Sequence, residues 1–232
     1  MQTAAQDSIR STAHAVTATT AEMNYSREVP AEHRRKFGQV FTPPRLAGLM
    51  ADWVMGGFPK SLLEPAYGTG VLAAACLAYN SELNVTAYEI DQSVLDFARE
   101  TPSQINIYNR DFLREDISDR FDAVIMNPPY IRHREISGYD KELSALSAMA
   151  GFAIPKSANL YIYFAVKSLE LLRQDGRAAI LIPAEWMSAN FSKSFKSYLL
   201  DRGILKGVIT FSNCSNVFDN ALTTASVLLC QK

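Results

Sequence analysis

FDAVIM (Phe121–Met126), followed at once by NPPY (Asn127–Tyr130), is the most informative stretch of this sequence. The short apolar, β-branched run predicts a buried parallel strand. The tetrapeptide then lies at the carboxyl edge of the sheet, where open α/β sheets bind ligands. The prolines stiffen the backbone, so the Asn127 carboxamide and the Pro128 carbonyl can accept hydrogen bonds from one amino group. The Tyr130 ring offers a planar substrate a stacking surface. The same four residues are also compatible with a rigid turn that has no chemical role, so the motif alone leaves both interpretations open.

Composition excludes several classes of protein. With 232 residues, 48% of them hydrophobic and 20% charged, the chain suffices for one well-buried α/β domain. A net charge of −1 argues against a globally basic nucleic-acid binder, so any such contact requires a local patch. Its three cysteines and three histidines are scattered and give no metal-ligand spacing. No apolar run approaches a membrane span and no secretory pattern begins the chain, which predicts a cytoplasmic protein without a membrane or metal partner.

Strand and helix patterns alternate along most of the chain. Strands are predicted over residues 61–65, 84–90, 105–110, 121–126, 177–183, 205–211 and 225–230. Helices are predicted over residues 71–79, 92–99, 161–172 and 195–200, with a further helix capped by the hydroxyl of Thr42. Short connections imply a mainly parallel sheet with helices on both faces. The last two strands are joined by a loop alone, which adds one antiparallel strand.

Two segments do not follow this alternation of strands and helices. Residues 1–35 are rich in Ala, Thr and Ser and are interpreted as a flexible or weakly helical lead-in. Residues 131–157 follow the NPPY motif and contain two glycines and a proline, so they are interpreted as a long loop that is either functional or disordered.

Two glycines follow the first predicted strand. Gly68 and Gly70 allow the backbone to pass close to a ligand. The third glycine of a dinucleotide fingerprint is missing, because Ala73 occupies its place, and no phosphate-loop lysine is present. Glu64 would repel a pyrophosphate but can accept a hydrogen bond from an ammonium group. The loop therefore favours a cofactor with an amino-acid tail.

Acidic residues follow the next two strands. Glu89 can accept hydrogen bonds from ribose hydroxyls, whereas Asp91 begins a helix and is interpreted as its cap. The Asp111 carboxylate and the backbone N–H of Phe112 can together bind an adenine. Each acid alone is equally explained as a cap or a surface charge. All of them are nevertheless expected at the same sheet edge as the NPPY motif.

With these motifs in place, the sequence resembles the γ-class N6-adenine DNA methyltransferases of restriction–modification systems, which use S-adenosylmethionine. The resemblance extends from about residue 37 to the C-terminus. Its motifs, in order, are Gly38–Pro44, Glu64–Gly70, Glu89, Asp111–Phe112 and Asn127–Tyr130. It implies a Rossmann-like seven-stranded methyltransferase sheet, mainly parallel with one antiparallel strand, in a catalytic domain over residues 36–232. It also implies direct in-line methyl transfer to an adenine flipped out of the DNA duplex.

The resemblance assigns roles to individual residues. The catalytic positions are Asn127, Pro128 and Tyr130. The cofactor-binding positions are Thr42, Glu64, Ala66, Gly68, Gly70, Glu89, Asp111, Phe112 and Phe164. The substrate-binding positions are Pro129, Tyr130 and Phe218. Phe164 lies on a predicted helix, where aromatic residues are more often core, and Phe211 competes with Phe218 for its role.

One departure from the family keeps other functions open. Family members carry a target-recognition domain after the last strand, whereas this sequence stops at Lys232. We therefore expect either that the sequence is a fragment or that recognition of a specific DNA site lies in a separate domain or subunit. Arg132 and Arg134 favour DNA, since they can reach phosphates. A protein glutamine N5-methyltransferase, an RNA-base methyltransferase and an inactive binding subunit remain as alternatives.

Overall fold

A seven-stranded sheet organises the computed structural model, which describes residues 20–98, 102–211 and 224–232. The strands are β1 (Ser61–Glu64), β2 (Asn84–Tyr88), β3 (Ile105–Tyr108), β4 (Phe121–Met126), β5 (Leu172–Pro183), β6 (Leu205–Phe211) and β7 (Ala225–Gln231). Their order in the sheet is β3-β2-β1-β4-β5-β7-β6. β7 runs antiparallel to both of its neighbours, and every other adjacent pair is parallel. The predicted seven-stranded sheet is confirmed.

Helices cover both faces of the sheet. The first described helix, α1, covers residues 20–28. The others are α2 (Ala31–Lys36), α3 (Pro44–Met55), α4 (Val71–Leu77), α5 (Gln92–Phe97), α6 (Asp140–Ala150), α7 (Leu160–Leu171) and α8 (Lys193–Asp201). Short 3₁₀ turns occupy His133–Glu135, Ala184–Met187 and Asn190–Ser192. In the part of the chain that the structure describes, no helix is both long and apolar enough to cross a membrane.

Alternate residues of β4 enter two separate hydrophobic cores. Val124 and Met126 pack in the core that contains α6, α7 and α8, whereas Ala123 and Ile125 pack in the core that contains α3 and α4. A strand buried on both faces is continuously apolar, as the FDAVIM run is apart from the half-buried Asp122. Its carboxyl end therefore emerges between two helix layers, and the NPPY motif begins there.

The predicted loop over residues 131–157 is wrong, because most of its middle is the helix α6. Leu143, Leu146 and Ala150 recur at helical spacing and are buried in the core shared with α7. Gly151 ends the helix with φ +72°, a left-handed conformation that favours glycine. The glycines that suggested a loop instead flank this helix.

Residues 20–28, part of the segment interpreted from the sequence as flexible or weakly helical, form α1, and Tyr25 is completely buried there. One expectation about the segment before α3 needs correction. The residue that precedes α3 is Pro43, with Pro44 in its first turn, so Thr42 is not the helix cap. Pro44 has no backbone N–H that a capping side chain would need to satisfy, and the Thr42 hydroxyl is part of the candidate active site instead.

Candidate active site

The carboxyl ends of the central strands surround a cavity of about 260 Å³. Most of the residues assigned from the sequence line it, although they come from distant parts of the chain. Those residues are Thr42, Glu64, Ala66, Gly68, Glu89, Asp111, Phe112, Asn127, Pro128, Pro129 and Phe164. The parallel sheet explains the convergence, because each strand delivers its following loop to the same edge.

The Asn127 carboxamide is held in a single orientation. Its Nδ2 donates to the backbone oxygen of Val40 at 2.6 Å and to the hydroxyl oxygen of Thr42 at 3.0 Å. A backbone carbonyl can only accept, so the atom that faces Val40 must be the amide nitrogen. Oδ1 is buried without a hydrogen-bond partner among the described residues. The arrangement leaves an oriented acceptor beside the cavity.

Gly38 allows the segment that holds Asn127 to pack on the NPPY loop. Its backbone oxygen accepts a hydrogen bond from the N–H of Tyr130 at 2.9 Å. Gly38 has φ +61°, and a Cβ there would lie 2.7 Å from Ile131 Cγ1 and 2.8 Å from Tyr130 N. Both the backbone conformation and the close approach therefore require glycine.

Glu64 is a buried carboxylate with one oxygen unused. Oε2 accepts a hydrogen bond from the N–H of Ala73 at 3.1 Å, whereas Oε1 has no partner in the described chain. Burial raises the pKa of Glu64 well above its ordinary value, and the nearby Glu89 carboxylate adds to the rise. The buried hydroxyl of Thr69 also lacks a partner there and lines the same cavity. An ammonium group would satisfy the Glu64 oxygen and favour its charged form.

Glu89 is fixed by backbone donors. Its Oε2 accepts from the N–H of Gly68 at 2.8 Å, and its Oε1 accepts from the N–H of Asp91 at 2.9 Å. Burial raises the pKa of Glu89, and these backbone hydrogen bonds partly oppose the rise. Each oxygen retains a second lone pair, so the carboxylate can still accept from two hydroxyl donors.

Asp91 does more than cap a helix. It caps α5 by accepting from the N–H of Ser93 at 3.0 Å, as the sequence predicts. It also accepts from Tyr25 Oη and from Gln39 Nε2, both at 2.8 Å, and lies 3.0 Å from His33 Nε2. Burial alone would raise the pKa of Asp91, but these donors outweigh it and lower the pKa. Sequence reasoning missed this network, which ties α1, α2 and the segment before α3 to the sheet edge.

Asp111 also lines the cavity. Oδ1 accepts from the N–H of Leu113 at 3.0 Å, and Oδ2 accepts from the Tyr139 hydroxyl at 2.7 Å. Arg114 Nε lies 3.4 Å from Oδ2. Tyr139 lies directly before α6 and lines the cavity. It was not identified from the sequence, because its segment was predicted to be a loop. The only sequence signal for it was the helical spacing of the α6 core residues that follow.

Two of the assigned residues, Tyr130 and Gly70, do not line the cavity. Tyr130 is absent from its lining, and its ring makes an edge contact with Tyr161 at a centroid distance of 6.5 Å. Gly70 instead lies directly before α4 with φ +84°, and a Cβ there would overlap the Tyr67 side chain. Phe218 lies outside the described residues, whereas Phe164 packs against Phe112 at 5.4 Å.

Metal ligands were not expected from the sequence. Across residues 20–98, 102–211 and 224–232, no group of three or more His, Cys, Asp or Glu side chains is arranged to hold a metal ion.

The chain is similar in sequence to proteins of a known family. The Eco57I restriction-modification methylase family matches residues 60–218. The type II methyltransferase M.AccI of Acinetobacter calcoaceticus is 36% identical over 228 residues, which are 96% of this chain and 42% of M.AccI. The chain thus spans less than half the length of that relative.

Solved structures share the fold. The methyltransferase subunit of a type I restriction-modification system from Streptococcus thermophilus superposes with a TM-score of 0.69 at 24% identity, covering 83% of this chain and 45% of that subunit. A Listeria monocytogenes protein assigned to the class I S-adenosylmethionine-dependent methyltransferases gives a TM-score of 0.62 at 17% identity, covering 83% of this chain and 60% of that protein.

Proposed function

This chain belongs to the Eco57I restriction-modification methylase family, and on that premise we propose that it transfers a methyl group from S-adenosylmethionine to the N6 amino group of adenine in DNA. The observation that carries the proposal is the pair of buried oxygens Asn127 Oδ1 and Glu64 Oε1, which have no partner among the described residues and belong to residues that line one cavity. Each oxygen can accept a hydrogen bond from an amine. The target adenine provides one, and the amino-acid tail of the cofactor provides the other.

The residues around the cavity fit the cofactor. When bound, S-adenosylmethionine supplies an electrophilic methyl group on a sulfonium centre. Glu64 accepts from the ammonium group, and Glu89 accepts from the ribose hydroxyls. Asp111 and the N–H of Phe112 bind the adenine edge, and Phe164 packs on its ring. The Thr42 hydroxyl accepts from Asn127 but keeps its own proton, which it donates to the cofactor carboxylate.

Asn127 and Pro128 activate the target amine. The lone pair of an exocyclic amine is delocalised into the ring, which makes the nitrogen a poor nucleophile. Asn127 Oδ1 and the Pro128 carbonyl accept hydrogen bonds from the two N–H groups of the amine. These hydrogen bonds favour tetrahedral geometry at the nitrogen and stabilise the positive charge that develops on it. Val40 and Thr42 hold the carboxamide in place beforehand, so little reorganisation is required at the moment of transfer.

The target adenine must leave the duplex to reach this pocket. Extrusion costs a few kcal/mol, and stacking on aromatic side chains recovers part of that free energy. Pro129, Tyr130 and Phe218 provide the stacking surfaces in our proposal. Recognition of a specific DNA sequence within a restriction–modification system is assigned to a domain or subunit beyond residues 36–232.

Partition of a methyl label among candidate substrates tests the proposal. The protein is incubated with S-adenosylmethionine labelled in its methyl group, together with mixed-sequence genomic DNA, transfer RNA and a glutamine-bearing peptide. We expect the label in DNA, recovered as N6-methyldeoxyadenosine after digestion to nucleosides. Asn127→Ala should abolish the incorporation, whereas the exposed Asn190→Ala serves as the matched control. Label that enters only RNA or only the peptide would overturn the choice of substrate.

A further inference from the structure

Lys167 is a buried lysine that no motif includes. It lies in α7, where every residue except Glu170 is buried, and only 5% of its surface is exposed. Its ammonium group donates to three backbone oxygens, those of Phe112 at 2.6 Å, Glu115 at 2.6 Å and Leu113 at 3.2 Å. All three protons of the ammonium group are thus used on one short segment.

The segment that Lys167 holds is the one that follows β3. Residues 109–120 form turns and irregular backbone, so no helix or strand ladder holds their carbonyls. Three carbonyl oxygens that converge on one point repel one another unless a cation lies between them. The ammonium group also lies 4.8 Å from the centroid of the Phe112 ring, which adds a cation–π contact. An apolar residue at position 167 would leave these buried carbonyls without a donor.

We propose that Lys167 is a positioning residue for the adenine of the cofactor, which it serves by holding the backbone of Phe112. The inference rests on the proposed function, in which the Asp111 carboxylate and the Phe112 N–H bind that adenine. The two residues are held by different contacts. The Asp111 side chain is held by Tyr139 and by the N–H of Leu113, whereas the backbone beside it is held by Lys167.

The surroundings of Lys167 make its hydrogen bonds to the backbone carbonyls depend on pH. Burial lowers the pKa of Lys167 to about 8, although the carboxylates of Asp111, Glu115, Asp116 and Glu142 oppose the shift. Arg114, the cation on the same segment, faces Asp111 and Glu142. Above that pH the neutral amine has two protons for three carbonyls. Cofactor affinity is therefore expected to fall as the pH rises through about 8.

Calorimetric binding of S-adenosylhomocysteine provides the first test. Lys167→Met should weaken binding about tenfold or more, because it removes charge-assisted hydrogen bonds from the binding segment. Lys167→Arg keeps the charge and should recover most of the affinity. Lys141→Met, on the exposed side of α6, is the matched control and should bind as the wild type does.

The preference of the site for adenine over hypoxanthine distinguishes a positioning role of Lys167 from a general effect on protein stability. S-inosylhomocysteine presents an oxygen where S-adenosylhomocysteine presents an amino group, so the wild type should prefer the latter. Lys167→Met should lose much of this preference, and an unchanged affinity and preference would overturn the inference. If Asp111→Ala loses the preference while Lys167→Met keeps it, only the role of Lys167 fails. If neither variant changes it, the adenine site itself is misassigned.

The pH dependence of cofactor binding by the wild-type protein supplies a further test. Its affinity for S-adenosylhomocysteine should decline above pH 8, whereas Lys167→Arg should hold its affinity over the same range. A flat wild-type profile through this range would overturn the inference.

Discussion

Replacing Thr42 with valine tests how Asn127 is oriented. The two side chains have the same shape, and Thr42 is 3% exposed, so the substitution removes one buried hydroxyl with little change in packing. Asn127 Nδ2 then keeps its hydrogen bond to Val40 and loses the one to Thr42. One neutral hydrogen bond contributes about 0.5–1.5 kcal/mol, so the rate of methyl transfer should fall by a factor between about 2 and about 13.

The assay must separate orientation from cofactor binding, because we also assign Thr42 to the cofactor carboxylate. Single-turnover methyl transfer at saturating S-adenosylmethionine removes the contribution of binding. Thr42→Ser keeps a hydroxyl and is the matched control, so it should transfer at nearly the wild-type rate. A wild-type rate in Thr42→Val under these conditions would refute the idea that the hydroxyl orients Asn127.

Three further substitutions probe the elements around the site. Gly38→Ala should destabilise the protein by about 1–3 kcal/mol more than Gly203→Ala in urea unfolding, since both glycines have φ +61° but a Cβ only at Gly38 meets Tyr130; equal losses would exclude the contact. Glu64→Gln should weaken calorimetric binding of S-adenosylhomocysteine about tenfold. Because burial raises the pKa of Glu64, wild-type binding should also weaken as the pH falls through that raised pKa, and a flat acidic profile would contradict its role. Asp91→Asn should cost about 1.5–3 kcal/mol at neutral pH. The pKa of Asp91 is lowered, so its stabilisation is present above its ordinary pKa and lost as the pH falls; a cost that persists in acid would contradict this.

Most of the fold could be predicted from the sequence because apolar periodicity reports burial directly. β4 and β6 have the predicted boundaries, and a run buried on both faces, such as β4, leaves little choice of structure. α6 could not be predicted in this way, because its apolar face is narrow and its flanking glycines resemble loop residues. Its core residues gain their meaning only from the packing against α7.

Part of the candidate site could be predicted from the sequence for a similar reason. Residues that follow the strands of a parallel sheet share one edge, so Glu64, Glu89 and Asn127 could be grouped without coordinates. Contacts made by side chains from distant helices carry no such signal. Lys167 reaches Phe112 across 55 positions of sequence, and the apolar run around it predicts its burial but not its partners. The second role of Asp91 depends in the same way on tertiary packing.

The rate of methyl transfer by Asn127→Ala shows whether Asn127 activates the target amine. Single-turnover transfer to adenine in DNA is measured beside the calorimetric affinity for S-adenosylhomocysteine, with Asn190→Ala as the control. We predict a loss of about 100-fold or more in rate, with cofactor affinity close to that of the wild type. A variant that transfers methyl groups at the wild-type rate would contradict the assignment of Asn127 as the residue that activates the amine.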